Sequence, residues 1–329
     1  MTAVAAKGTK RRSFEDELAA LSAVAANPRS DEARALLRAG LASARSLVVA
    51  RAARLVKEHL VEGLDDELAA AFARHLPDPV KSDPTCAAKL ATIEALDYCE
   101  STDAGPFLRA VVHEQWEGGN DTAAPLRARA ILALARIGHE DFDLAAAQLL
   151  ADATAPVRQA ALDALAHRGD RAHAGLALFK LRSGDEDPMV TLAAMTALLA
   201  LAPARAVAEL ERLLEGEAEE PREMAAVALG QSRRDEAVTV LVRALDRCTR
   251  AEERIALYRG LGLHRSDRAL DALLEVVANG RESDARAAID ALAARRFEPA
   301  VVERVRAAAA SNDRADLEAI VRSVLRSGR

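Results

Sequence analysis

The chain has 329 residues, of which 50% are hydrophobic and only 3% aromatic, and its formal net charge is −6. The apolar residues are mostly Ala, Leu and Val, a mixture that favours closely packed helices over strands, and the length suits one large or two ordinary domains. The acidic balance argues against a broadly nucleic-acid-binding protein, and no run of 18 uncharged apolar residues predicts a membrane span.

Residues 1–13 are basic, with Lys7, Lys10, Arg11 and Arg12, and no apolar run follows them. This pattern is not that of a secretory signal, and we expect a disordered basic tail. Residues 14–329 are expected to form a single solenoid that ends in a capping helix at about 313–326. The three cysteines form no C-x-x-C motif, which indicates free thiols in a reducing compartment and hence a cytoplasmic protein.

A repeat dominates the remainder of the chain. Each copy ends in a leucine, usually preceded by Ala, and five of the copies have a basic residue seven positions earlier. The leucines are 38, 31, 33, 31, 32 and 31 residues apart, at positions 96, 134, 165, 198, 229, 261 and 292. An earlier, degenerate copy is expected within 47–60. Regular spacing of this kind is the mark of a repeat architecture.

Each copy predicts a helix, because the residues that recur at offsets −7, −4, −1 and 0 from the leucine fall on one stripe of a helix. Pro125, Pro156, Pro188 and Pro221 precede four of these stripes, and proline is tolerated in the first turn of a helix. A second apolar segment lies between successive copies, so each unit reads as a helix hairpin of roughly 32 residues. Stacked hairpins bury their apolar faces against one another.

The segment Asp152-Ala153-Thr154-Ala155-Pro156-Val157-Arg158 resembles the start of the second helix of a HEAT repeat. The period near 31 is similar to that of the HEAT-like repeats of bacterial phycobilin-lyase-type proteins. Residues 78–138 also resemble a bacterial group of HEAT-repeat proteins. This resemblance implies the fold and gives no information about activity. The chain is therefore expected to be an all-α, right-handed α-solenoid of about eight HEAT-type helix hairpins.

The basic residues of the repeat form a ladder of Lys89, Arg127, Arg158, Arg222 and Arg254. Each is expected in the first turn of its helix, with its stem near the buried stripe. Its head is expected to pair with an acidic loop residue such as Asp121, Asp152 or Asp187. This favours a structural ladder that holds the repeats in register. The alternative is a track for the phosphates of a nucleic acid.

The 38-residue interval contains an insertion around Trp116, the only tryptophan, in a loop rich in glycine. Loops on rigid scaffolds often carry binding groups, and tryptophan is enriched at interface hot spots. We predict a binding site formed by Arg109, His113, Glu114 and Trp116. The alternative is that Trp116 only caps the helix hairpin.

The pairs His113-Glu114 and His139-Glu140 invite comparison with the HEAT-type hydroxylase, which holds iron through several His-Glu pairs. His113 is placed in a first helix and His139 after a second helix, so the pairs are not equivalent in the repeat. No metal, cofactor or catalytic set is predicted. An acidic run from Glu209 to Glu223 is read as a solvated helix end and loop, with attraction of a basic partner as the alternative.

These observations predict a scaffold that binds an unknown protein on its concave face, formed by the second helices. The first alternative is a lyase-like or hydroxylase-like HEAT enzyme, which would carry a pigment or iron. The second alternative is nucleic-acid binding through the arginine ladder and the basic tail, which the acidic composition disfavours.

Overall fold

The structure is a computed structural model that describes residues 13–313 and 316–325. Residues 1–12 of the expected basic tail lie outside the described part. By its internal contacts the chain splits into two compact units, residues 1–168 (unit 1) and 169–329 (unit 2). The expectation of a single solenoid over residues 14–329 stays a prediction.

Unit 1 consists of helices and one small β-hairpin over its described residues. Its elements are α1 (Phe14–Ser22), α2 (Asp31–Leu41), α3 (Ser46–His59), α4 (Asp65–Arg74), α5 (Pro79–Ser82), α6 (Ala87–Tyr98), α7 (Ala104–Val111), β1 (Trp116–Glu117), β2 (Asn120–Asp121), α8 (Ala124–Ile137), α9 (Phe142–Leu149) and α10 (Ala155–Arg168). Four helix hairpins follow α1, namely α2/α3, α4/α6, α7/α8 and α9/α10.

Unit 2 consists of helices and the loops between them over its described residues. Its elements are α11 (Ala174–Ser183), α12 (Pro188–Leu201), α13 (Pro203–Leu214), α14 (Glu219–Gln231), α15 (Asp235–Arg247), α16 (Ala251–His264), α17 (Asp267–Asn279), α18 (Glu282–Ala291), α19 (Pro299–Ala310) and α20 (Glu318–Val324). They pair into five hairpins in chain order. The described residues therefore contain nine hairpins, and α20 lies inside the range expected for the capping helix.

The helices of each unit form two rows. In unit 1 the first helices α2, α4, α7 and α9 contact one another in turn, and so do the second helices α3, α6, α8 and α10. In unit 2 the second helices α12, α14, α16, α18 and α20 form a row, beside first helices that include α13, α15, α17 and α19. The all-α solenoid architecture is confirmed, with one exception: the insertion near Trp116, expected as a loop, forms the β-hairpin of unit 1.

The helices begin where the prolines predict. Pro125, Pro156 and Pro188 occupy the first two positions of α8, α10 and α12, and Pro221 lies in the first turn of α14. Proline fits there because the first amide groups of a helix have no partner within the helix. The degenerate early copy is also confirmed as a helix, because α3 spans Ser46–His59.

The repeated leucines form the spine of both cores. All seven are at most 1% exposed, and so are the alanines directly before five of them, at positions 95, 133, 164, 197 and 228. Leucine fills the space between a first and a second helix, while alanine lets neighbouring second helices approach closely. The repeat therefore encodes the distance between helices as well as their apolar faces.

The closest approaches lie in the second-helix row of unit 2. A Cβ atom at Gly230 of α14 would lie 2.2 Å from the carbonyl oxygen of Gly260 of α16, and one at Gly262 would lie 2.3 Å from the carbonyl oxygen of Ala291. These neighbours are backbone atoms, which cannot turn aside as a side chain can. Glycine at these positions is therefore required by the spacing of the helices.

We expect Gly230→Ala to destabilise unit 2 by about 1–3 kcal/mol, because α14 and α16 must separate to admit the methyl group. Chemical denaturation measures the effect. Gly175→Ala is the matched control, since a Cβ there meets no atom within 4 Å and alanine favours the helix α11. Equal stabilities of the two variants would contradict the close-packing argument.

Candidate binding site at the loop edge of unit 1

Four of the five cations of the basic ladder are buried, and Arg254 is half-buried. Each of its side chains lies in the first turn of a second helix, as predicted. In unit 1, Lys89 is fully buried and its Nζ atom lies 3.1 Å from a carboxylate oxygen of Asp83, which is equally buried. Arg158 donates to the carbonyl oxygens of Asp152 and Ala153 at 2.8 and 3.1 Å. These cations are turned inward, toward the loops that precede their own helices.

Arg127 has the most complete set of partners. Its guanidinium donates to both oxygens of Asp152 at 2.8 and 3.0 Å and to Asp121 at 2.5 Å. A fourth bond runs to the carbonyl oxygen of His113 at 3.1 Å. Burial disfavours ionisation of Asp121, but the hydrogen bond and the charge of Arg127 outweigh this effect and hold its pKa below the usual value.

Unit 2 repeats the arrangement. Arg222 donates to the carbonyl oxygens of Gly216 and Glu217 and pairs with Glu253 at 3.0 Å. Arg254 donates to the carbonyl oxygen of Thr249 and pairs with Asp284 at 2.8 Å. Each of these cations thus bonds backward to its own loop and forward to an acidic residue of the next repeat, as Arg127 does through Asp121 and Asp152.

We expect Arg127→Met to destabilise unit 1 by about 3–5 kcal/mol, because it leaves two buried carboxylates without a counter-charge. Chemical denaturation at neutral pH measures the loss. Arg38→Met is the control, since the Arg38–Glu67 pair is partly exposed and should be worth about 0–1 kcal/mol.

The same variant has a pH signature. In the wild type, the stability that comes from the lowered pKa of Asp121 is present above the unfolded value of 3.8 and is lost as the pH falls through the folded value. The difference in the free energy of unfolding between the wild type and Arg127→Met should therefore shrink as the pH falls toward and below 3.8. A difference that stays constant on acidification would show that the two carboxylates are not the cause.

The inserted β-hairpin completes the link between the second and third repeats. Within the described residues, Lys89 makes no forward bond of the kind that Arg127 makes. Instead, Gln115 donates to the carbonyl oxygen of Asp83 at 2.9 Å, and Glu117 accepts from the amide of Thr85 at 2.7 Å. Gln115 and Thr122 also donate to Glu117, and these bonds lower its pKa. The insertion therefore reaches back and holds the loop that Lys89 supports.

Trp116 lies between these two anchoring residues. Side chains alternate in an extended strand, so when Gln115 and Glu117 face the protein, Trp116 faces away from it. Gly118 and Gly119 supply the positive φ angles of the two-residue turn that closes the hairpin. The indole is 53% exposed although its strand is firmly held. Capping the helix hairpin would bury the ring, so the geometry favours a surface role for Trp116.

A cavity of about 190 Å³ lies beside Trp116, at the edge where first helices end and second helices begin. We call this region the loop edge of unit 1. The cavity is lined by residues of the α7–β1 segment, the end of α9 and the loop before α10, and its polar lining includes Glu114, Asp121, Arg127 and Asp152. The exposed side chain of Val112 adds an apolar wall.

The four predicted binding residues do not converge. Glu114 and Trp116 both line the cavity. Arg109 lies on α7 with its guanidinium 5.9 Å from the ring centre of Phe72 and does not line the cavity. His113 was placed in a first helix, which is wrong, because α7 ends at Val111. It contributes its carbonyl oxygen to Arg127, and its ring is half-buried outside the lining.

Two histidines near this site are held in apolar or crowded surroundings. Both ring nitrogens of His75 and the Nε2 atom of His113 are buried with no hydrogen-bond partner among the described residues. Burial, joined by nearby cations, lowers the pKa of both rings below 6.5. Burial also raises the pKa of the neighbouring Cys86 thiol to about 12, so this cysteine is a packing residue rather than a nucleophile.

We expect the stability of unit 1 to fall as the pH is lowered from 7 toward 5. The unfolded chain then binds more protons than the folded chain, and each of the two histidines adds at most about 1.4 kcal/mol per pH unit. The double variant His75→Gln/His113→Gln should reduce this slope in denaturation curves. The exposed His167→Gln is the control, and an unchanged slope in the double variant would refute the assignment.

The site contains residues that the sequence reasoning did not assign to it. Asp121 and Asp152 were considered only as partners of the ladder, yet they line the cavity with Glu114 and Trp116. One sequence signal was available: Asp83, Asp121 and Asp152 each lie six residues before a ladder cation. A second signal was the Gly-Gly pair, which is typical of a tight β-hairpin.

The acidic run of unit 2 is partly neutralised within the protein. Glu209 is buried among Arg182, Arg205 and Arg212, with distances of 2.6 to 3.0 Å. Glu211 and Glu215 pair with arginines of α15. Among the described residues, no group of three or more His, Cys, Asp or Glu side chains is placed to hold a metal ion. No helix in the described ranges is long and apolar enough to cross a membrane.

Comparison with known proteins agrees with this architecture. The sequence model of the HEAT_2 family, described as HEAT repeats, matches residues 175–258. Residues 175–258 are therefore HEAT repeats, and the matched segment covers most of α11–α16 in unit 2. None of the curated protein sequences matches the chain.

Three solved structures illustrate the range of similar folds. YibA of Escherichia coli is 17% identical, with a TM-score of 0.39, 80% of this chain covered and 94% of that one. The CpcE–CpcF complex of phycocyanin lyase from Nostoc sp. PCC7120 is 20% identical with a TM-score of 0.37, and the match covers 84% of this chain and 93% of that one. Human deoxyhypusine hydroxylase is 19% identical with a TM-score of 0.29, and the match covers 85% of this chain and 95% of that one. At these levels of similarity the activities of those proteins do not transfer to this chain.

Proposed function

We propose that this chain is a protein-interaction scaffold of the cytoplasm, and that its partner contacts the loop edge of unit 1 around Trp116. The observation that carries the proposal is the exposed indole on an anchored hairpin. An exposed tryptophan costs free energy in water unless a partner covers it. Tryptophan is also the residue type most enriched at the energetic centres of protein interfaces.

The face of the second helices, the expected concave face, is the second surface in this proposal. In unit 1 it carries Tyr98, half-exposed, with Lys57 and Arg129 within 5.1 and 5.4 Å of its ring centre. Ion pairs between neighbouring helices accompany it, from Lys57 to Glu94 and from Arg129 to Asp97. A partner would therefore meet an ordered polar surface with one aromatic anchor.

The ladder is poorly placed for nucleic-acid binding. The cationic groups of Lys89, Arg127, Arg158 and Arg222 are buried, and each donates to carboxylates or carbonyl groups of its surroundings. Moving such a cation to a phosphate would require breaking those bonds and leaving buried acceptors without partners. We infer that the ladder keeps the repeats in register.

Affinity capture from a native lysate tests the scaffold proposal. We expect the wild type to retain a protein in stoichiometric amount and Trp116→Ala to lose it, with a rise in Kd of roughly thirtyfold, or about 2 kcal/mol. Tyr98→Ala tests the face of the second helices in the same assay.

Phe179→Ala is the matched control, because Phe179 is an exposed aromatic residue of unit 2, on α11. It should bind the partner as the wild type does. Capture of no stoichiometric protein by the wild type, or equal capture by the Trp116→Ala, Tyr98→Ala and Phe179→Ala variants, would contradict the proposal.

A further inference from the structure

We infer that the cavity beside Trp116 is a receptor for a cationic side chain, and that the partner presents an arginine there. This inference rests on the proposed function and adds the chemical class of the group that is bound. It is carried by three properties of the cavity: its charge, its aromatic wall and the fixed position of both.

The charge of the cavity is negative. Three carboxylates line it, on Glu114, Asp121 and Asp152, against one guanidinium, that of Arg127. Asp121 and Asp152 share the single charge of Arg127, so this group of three carries a net charge of −1. Glu114 is exposed and has no hydrogen bond or ion pair with another described residue. The lining therefore has a net charge of −2, which attracts a cation and repels an anion.

The aromatic wall selects among cations. Trp116, whose side chain is half-exposed, borders the same cavity as the carboxylates. A planar guanidinium can stack on an indole while its N–H groups donate to a carboxylate, and tryptophan is the best aromatic partner for a cation. The apolar wall at Val112 suits the methylene stem of such a side chain. An arginine side chain can contact the carboxylates, the indole and the apolar wall at the same time.

The receptor is built in advance. Gln115 and Glu117, on either side of Trp116, are bonded to the loop at residues 83–85. Asp121 and Asp152 are fixed by Arg127 and by the amides of Ala123 and Thr154. Binding therefore orders few side chains, which lowers its entropic cost.

Because Trp116 is the only tryptophan of the chain, its fluorescence reports on this cavity directly. The probe is the pentapeptide Gly-Gly-Arg-Gly-Gly, acetylated and amidated, titrated into the full chain at low salt. We expect a saturable change of emission with a midpoint of about 1 mM, as suits a single anchored side chain. Sodium chloride at about 0.5 M should weaken it, since salt screens exposed charges.

Two kinds of control make the test specific. The peptide with citrulline in place of arginine has the same shape without the charge, and it should produce no saturable change. Glu114→Gln should raise the midpoint by about three- to tenfold through loss of the free carboxylate. Glu140→Gln, at another exposed glutamate of unit 1 that does not line the cavity, should leave the midpoint unchanged.

Three outcomes would overturn the inference: an equal response to the citrulline peptide, a response only to the corresponding glutamate peptide or to duplex DNA, or no response to any probe. The two proposals fail separately. If the arginine peptide gives no fluorescence change while Trp116→Ala still loses a captured protein, the scaffold proposal is supported and the cation receptor is refuted. If the arginine peptide binds but no protein is captured, the receptor stands and the scaffold falls.

Discussion

A buried or half-buried cation in the first turn of a second helix connects successive helix hairpins. In Arg127, Arg222 and Arg254 this cation bonds backward to the loop before its helix and forward to an acidic residue 25 to 31 positions later. A leucine spine alone would tolerate sliding of one hairpin past the next, because apolar contacts are not directional. Charged hydrogen bonds to fixed loop atoms are directional, and an unpaired buried charge is costly.

The inserted hairpin follows from the one place where this scheme changes. A lysine has fewer N–H donors than an arginine. Lys89 directs its donors to Asp83 and to carbonyl oxygens of the segment before its own helix. The forward connection is supplied by Gln115 and Glu117 of the insertion. This structural task fixes the strand, and strand alternation then places Trp116 on the outside. A residue with a proposed binding role thus stands on an element that stability already requires.

The cavity is distinguished by its charge rather than by apolar area, because the carboxylates that hold Arg127 also line it. The ladder brings carboxylates to the loop edge to hold Arg127, and one guanidinium neutralises only one of the two. With Glu114 added, the edge keeps a negative field next to an exposed indole. Loops carried on a rigid scaffold are the usual place for recognition, and the proposed recognition surface shares the Arg127 ion pairs with the repeat framework.

The local sequence determined the repeat period, the proline-marked helix starts, the buried leucines and the position of each ladder cation, because these depend on residues within one or two helical turns. The composition of the site was decided by tertiary structure. Asp152 joins it through bonds to Arg127, 25 positions away, and Asp83 anchors the hairpin beside it through Gln115, 32 positions away. Arg109 lies outside it, with its guanidinium near the ring of Phe72. His113 leaves it because α7 ends two residues before that histidine. Spacing along the chain predicts which residues share a helix face, but contacts between repeats depend on how the helices pack, which spacing alone does not specify.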